Sequence, residues 1–111
     1  MHSNHIERFR SGKTIFQEGE AGTKMYVVKE GEVELLVHGK VIAELETGSI
    51  FGEMAIIDGK PRSATARAKT RCKLIPMNQE QFLGLVARNP GFSLEVMKVL
   101  ADRLRLMDER T

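Results

Sequence analysis

The residues best placed to do chemistry lie between Phe51 and Thr65, in the run F-G-E-M-A-I-I-D-G-K-P-R-S-A-T. Gly52 takes any φ without steric cost and lets backbone approach a ligand closely. Glu53 to Ile57 is predicted to form one helical turn, stopped at Asp58-Gly59. Pro61 stiffens the exit, and Arg62-Ser63 is expected to open a strand of small residues. The first N–H groups of such a turn converge on one point and suit an anion. Arg62 brings a planar, permanently charged fork that matches phosphate oxygens. A carboxylate at Glu53 sits badly beside a phosphate unless it accepts hydrogen bonds from another group, such as sugar hydroxyls. Anion cradle, arginine and acceptor together point to a ribose phosphate. The blander alternative is an ion pair between Glu53 and Arg62 that serves only the fold.

Other chemistries find little footing. A metal-binding jelly roll needs two or three inward histidines and a carboxylate, whereas the stretch from Lys13 to Met77 holds only His38, at a hairpin tip. His2 and His5 have no nearby third ligand, so no metal site is expected. No Ser or Cys has a His partner at a plausible spacing, and no Walker loop is present. No catalytic residue is therefore assigned, and the chain is not read as an enzyme.

The chain has 111 residues and a formal net charge of +2, enough for one domain and too little charge to imply nucleic acid by itself. No apolar run approaches the ~20 residues that span a bilayer, and no secretory leader is seen. Cys72 is the single cysteine, which rules out an internal disulfide and suits a reducing, cytoplasmic setting.

The elements that must position the 51–65 run are short strands. Strands are expected over Lys13–Phe16, Met25–Glu30, Glu32–Val37, Val41–Leu45 and Cys72–Met77, with a glycine-bounded turn at Glu18–Gly22 and a hairpin at His38-Gly39-Lys40. Ala64, Ala66 and Ala68 alternate with Thr65, Arg67 and Lys69, and this small face either leaves room for a ligand or is filled by larger neighbours. Many short strands with glycine-rich turns indicate a mainly β protein, a β-barrel or jelly roll. Asn78 with Gln81 reads as a capping box for a helix over Gln79–Ala87, broken at Asn89-Pro90. A longer helix follows from Ser93 to about Arg110. Its stripe of Met97, Leu100, Leu104 and Met107 either covers the barrel or pairs with a twin. The expected organisation is one domain over 1–111: an N-terminal arm at 1–11, the barrel at 12–77 and helices at 78–111.

F-G-E-x-A followed by P-R-S-A-T, inside the frame of Gly12, Gly19, Gly22, Gly31, Gly48 and Gly52 and then Asn89-Pro90, resembles the cyclic nucleotide-binding domain family from about Phe9 to about Leu106. The family includes the catabolite activator protein, regulatory subunits of cyclic-AMP-dependent kinase and cyclic-nucleotide-gated channels. The resemblance implies a jelly-roll β-barrel with a short cassette helix and two C-terminal helices. It implies a non-catalytic sensor for a cyclic nucleotide, cyclic AMP over cyclic GMP, with no further cofactor, in which the ligand closes the long helix over the barrel. By resemblance, Gly52 and Glu53 hold the ribose 2′-hydroxyl, Ala55 and Ser63 offer backbone N–H to the cyclic phosphate, and Arg62 neutralises it. Leu35, Ile42, Leu45 and Met54 line the sugar and base pocket, and Ala64 completes the cassette. The base contacts fall on Met107 and Asp108. The family's usual longer N-terminal helix is short or absent. After the long helix no DNA-reading segment remains, so direct DNA binding is not expected. The chain reads as a free-standing sensor or as one excised from a regulator, channel or kinase. At best a weak homodimer through the long helix is expected, since two heptads bury little, and the sequence does not name the effector.

Overall fold

The computed structural model describes residues 5–108, and within that range the side chain of Asp108 lies outside the described residues. Eight antiparallel strands are followed by two helices, with a third, short helix between β6 and β7. The strands are β1 (Glu7–Phe9), β2 (Thr14–Phe16), β3 (Lys24–Glu30), β4 (Val33–Val37), β5 (Lys40–Leu45), β6 (Ile50–Phe51), β7 (Thr65–Ala68) and β8 (Cys72–Asn78). The helices are α1 (Glu53–Asp58), α2 (Gln79–Arg88) and α3 (Pro90–Asp108). One sheet runs β1-β8-β3-β6 and the other β2-β7-β4-β5. This is the jelly-roll arrangement expected from the sequence.

Period-2 alternation explains the core. Val33 and Leu35 of β4, Tyr26 and Val28 of β3, Cys72 and Leu74 of β8, and Ala66 and Ala68 of β7 all face the space between the sheets and are buried. Phe16, Tyr26 and Phe51 stack there with ring centroids 5.3–6.2 Å apart. The alanine face is thus filled at Ala66 and Ala68 by larger neighbours.

Four expectations need correction. The arm at 1–11 contains a strand: Glu7–Phe9 pairs with β8, Phe9 opposite Cys72. Three residues are too few to show a period, and the pairing is created by the free edge of β8. The expected strand start at Arg62-Ser63 is a loop, and β7 begins at Thr65. The long helix begins at Pro90, because proline at a first helical position gives up no hydrogen bond. Finally, the stripe of α3 is split, with Leu100 and Met107 partly buried and Met97 and Leu104 facing solvent. Met97 and Leu104 are 59% and 50% exposed, while Val96 and Arg103 are buried, with Phe92 and Val99 packed beside Val96. The 92, 96, 99, 103 face, not the 97, 104 face, points inward.

Of the histidine pair, His2 lies outside the described residues, and His5 has its Nε2 3.6 Å from the carboxylate of Glu7. Among the described residues no cluster of His, Cys, Asp and Glu is placed to hold a metal ion. No helix among them is long and apolar enough to cross a membrane.

Candidate functional site

β6 is only two residues long, yet it fixes the site. Its pairing of Phe51 with Tyr26 and Ile50 with Val27 brings the following segment against β3. Gly52 then turns the chain with φ of 80°, a left-handed conformation that favours glycine, and starts α1 without any side-chain cap. Gly59 ends α1 with φ of 71°, its N–H donating to Ala55 O at 3.0 Å. The helix buries Glu53, Ala55 and Ile56.

Glu53 is 1% exposed. Its carboxylate faces Arg103 of α3, whose Nη1 lies 3.5 Å from both carboxylate oxygens and whose Nη2 donates to Ile50 O at 2.8 Å. Burial pushes the Glu53 carboxyl above its ordinary pKa, and Arg103 opposes that rise by favouring the charged form. Burial likewise lowers Arg103, with Glu53 the main opposing influence. The ion-pair partner of Glu53 is thus Arg103 and not Arg62, the partner that the sequence alone offers. The signal was there: an arginine in the apolar phase of α3, following Phe92, Val96 and Val99, must find a buried acceptor.

Arg62 does something else. Its guanidinium lies 3.9 Å over the Phe16 ring, Nη1 donates to Gly52 O at 3.0 Å, and Nη2 donates to Lys24 O at 2.7 Å. Its backbone is clasped by the turn before β3, with Gly19 N–H donating to Arg62 O and Arg62 N–H donating to Glu20 O. The side chain is buried, and its Nε–H has no hydrogen-bond partner among the described residues. A buried, unsatisfied N–H costs about 1–3 kcal/mol, more when charged, so this group fits an anionic acceptor. Burial lowers the Arg62 pKa, while Tyr26, Glu20 and Glu53 hold it up.

These groups border one cleft. Gly52, Glu53, Met54 and Ala55 form one wall, Arg62, Ser63 and Ala64 another, and Phe16 and Leu35 the floor. Arg103 and Met107 of α3 close it from above. The Ser63 hydroxyl donates to the Met54 sulfur at 3.4 Å. The cavity is about 30 Å³, room for a water or two. Of the other sequence candidates, Leu45 and Ile42 pack into the core cluster and do not line the cleft, and Asp108 ends α3. The cleft thus gathers eight of the eleven sequence candidates: Gly52, Glu53, Met54, Ala55, Arg62, Ser63, Ala64 and Leu35.

The family model described as "Cyclic nucleotide-binding domain" matches residues 6–89. The cAMP-activated global transcriptional regulator CRP of Salmonella typhimurium is 30% identical, the match spanning 96% of this chain and 53% of that protein. The chain therefore spans about half the length of the curated relatives it matches. Among solved structures, a cAMP-bound PfPKA-R superposes with a TM-score of 0.85 at 25% identity, covering 95% of this chain and 36% of that one. The Thermus thermophilus catabolite activator protein gives 0.82 at 33% identity, covering 96% and 52%.

Proposed function

This chain belongs to the cyclic nucleotide-binding domain family, and from that premise we propose that it binds cyclic AMP in the cleft between α1, Arg62 and α3, as a non-catalytic regulatory module. The observation that carries the reading is Arg62: a buried guanidinium at the cleft, held by backbone on two sides, with an N–H still to be satisfied. A phosphate diester is the matching acceptor. Glu53 keeps acceptor capacity beyond its long contacts to Arg103, which suits the ribose 2′-hydroxyl. Two relatives, a cAMP-activated global transcriptional regulator and a cAMP-bound PfPKA-R, support the same ligand.

A cleft of about 30 Å³ cannot take a nucleotide without rearrangement. Ligand entry displaces Met107, and α3 then settles over the base. α3 is the bistable element whose two positions a partner reads. Its solvent face carries Leu94, Met97 and Leu104, all at least half exposed, and we assign a weak homodimer contact to this face. The buried Cys72 thiol suits a cytoplasmic setting.

Calorimetric titration of the wild type and Arg62→Ala with cyclic AMP, cyclic GMP and 5′-AMP tests the reading. Arg62→Ala is expected to weaken cyclic AMP binding by about 2–5 kcal/mol, because the phosphate loses its desolvated partner. Wild type without cyclic nucleotide affinity, or a variant that binds normally, overturns it.

A further inference from the structure

Gly22 lies in the turn between β2 and β3, far in sequence from the 51–65 run, and nothing in its own backbone requires glycine. Gly19 and Gly52 sit at φ of 90° and 80°, but Gly22 is not in the left-handed region. What excludes a side chain there is Arg62. A methyl group at Gly22 would stand 2.5 Å from the Arg62 Cζ and 2.9 Å from its Cδ, and closer still to Nε. No real carbon approaches so near, so one of the two must move.

Arg62 has little freedom to yield. The Phe16 ring covers one face of the guanidinium at 3.9 Å. Gly52 O and Lys24 O hold its two terminal nitrogens at 3.0 and 2.7 Å. On the Gly52 side even a Cβ would lie 2.9 Å from Nη1. The Gly22 turn also fixes the Arg62 main chain, through Gly19 N–H to Arg62 O at 2.8 Å and Arg62 N–H to Glu20 O at 2.7 Å. One turn therefore sets both the backbone and the side chain of the arginine.

We infer that Gly22 is a positioning residue for ligand phosphate: by lacking a side chain, the β2–β3 turn admits the Arg62 guanidinium into the one slot from which it faces the cleft. The inference rests on the cyclic-nucleotide reading of the cleft. It implies that substitutions in a turn outside the 51–65 run tune affinity through Arg62 and not through the fold.

The test is a double-mutant cycle of Gly22→Ala and Arg62→Ala, read by cyclic AMP titration and by thermal unfolding without ligand. Gly22→Ala is expected to weaken cyclic AMP binding about 10- to 100-fold in the wild-type background and by less than about twofold in the Arg62→Ala background. If Gly22→Ala alone fails to fold, the double variant should regain the melting temperature of Arg62→Ala, since the atoms the methyl meets are gone. Equal effects of Gly22→Ala in both backgrounds, or a double variant that is not rescued, overturn the inference. A wild type with no affinity for cyclic AMP refutes the functional reading instead, and the unfolding arm still decides whether Gly22 sets Arg62.

Discussion

Replacing Arg103 with methionine should expose how the cleft is held shut. The variant keeps the volume of the α3 face but strips the ion-pair partner of Glu53, leaving only the lesser influence of Arg62 on a carboxylate that is 1% exposed. At 3.5 Å and an effective dielectric of about 20, the attraction is about 5 kcal/mol. Desolvation of two buried ions takes back much of that, so the attraction is not the pair's net contribution to stability. Arg103→Met should nevertheless lose about 3 kcal/mol at pH 7, because Glu53 is left buried and unpaired and the bond to Ile50 O is lost as well. The loss must depend on pH. Burial already holds the folded Glu53 pKa above its ordinary 4.5, and removing Arg103 raises it further. Ionisation then costs stability as pH rises from the unfolded value through the folded one, so the gap between wild type and variant should widen from pH 4.5 to pH 7. Urea unfolding followed by far-ultraviolet circular dichroism at both pH values measures it. Glu53→Gln/Arg103→Met should recover most of the stability. A loss below about 1 kcal/mol at pH 7, or one that does not change with pH, would refute the account.

Other perturbations address the ligand and the outer face of α3. If Glu53 accepts from the ribose, 2′-deoxy cyclic AMP should bind the wild type about 1.5–3 kcal/mol more weakly, yet bind Glu53→Ala as well as cyclic AMP does; additive losses in that cycle would assign Glu53 to the fold alone. Ser63 spends its hydroxyl on the Met54 sulfur, a weak acceptor, and lacks the methyl that stiffens a threonine rotamer. Cyclic AMP is therefore expected to bind about 1–2 kcal/mol more tightly than cyclic GMP, with Ser63→Thr narrowing the gap; equal affinities in a competition titration would remove this assignment. Light scattering at high concentration should show a weak dimer that Met97→Lys abolishes, and a monomer under all conditions would exclude the α3 contact.

Much of this was written in local sequence. The capping box of Asn78 and Gln81 formed as spelled, Asn78 Oδ1 accepting from Gln81 N at 2.8 Å and Gln81 Oε1 from Asn78 N at 2.8 Å. Gly52 and Gly59 marked both ends of α1 through their positive φ. These features are decided within a few residues, where conformational freedom and side-chain chemistry suffice. Period-2 alternation announced the strands for the same reason. What local pattern does not carry is which face or partner a residue meets. β1 exists because β8 offers it an unpaired edge, and its three residues have no pattern of their own. The partner of Glu53 stands fifty positions away on α3, and in sequence the 92, 96, 99, 103 face competes with the 97, 100, 104, 107 stripe until packing selects the face turned inward. Gly22 read as one more turn glycine, yet its lack of a side chain answers to Arg62 across the fold. Sequence by itself determined the family resemblance, the cassette turn, the capping box and most of the strands, because turns and periods are short-range. Only the tertiary structure placed Arg103 against Glu53 and Gly22 against Arg62, because burial and excluded volume are properties of groups brought together from distant parts of the chain.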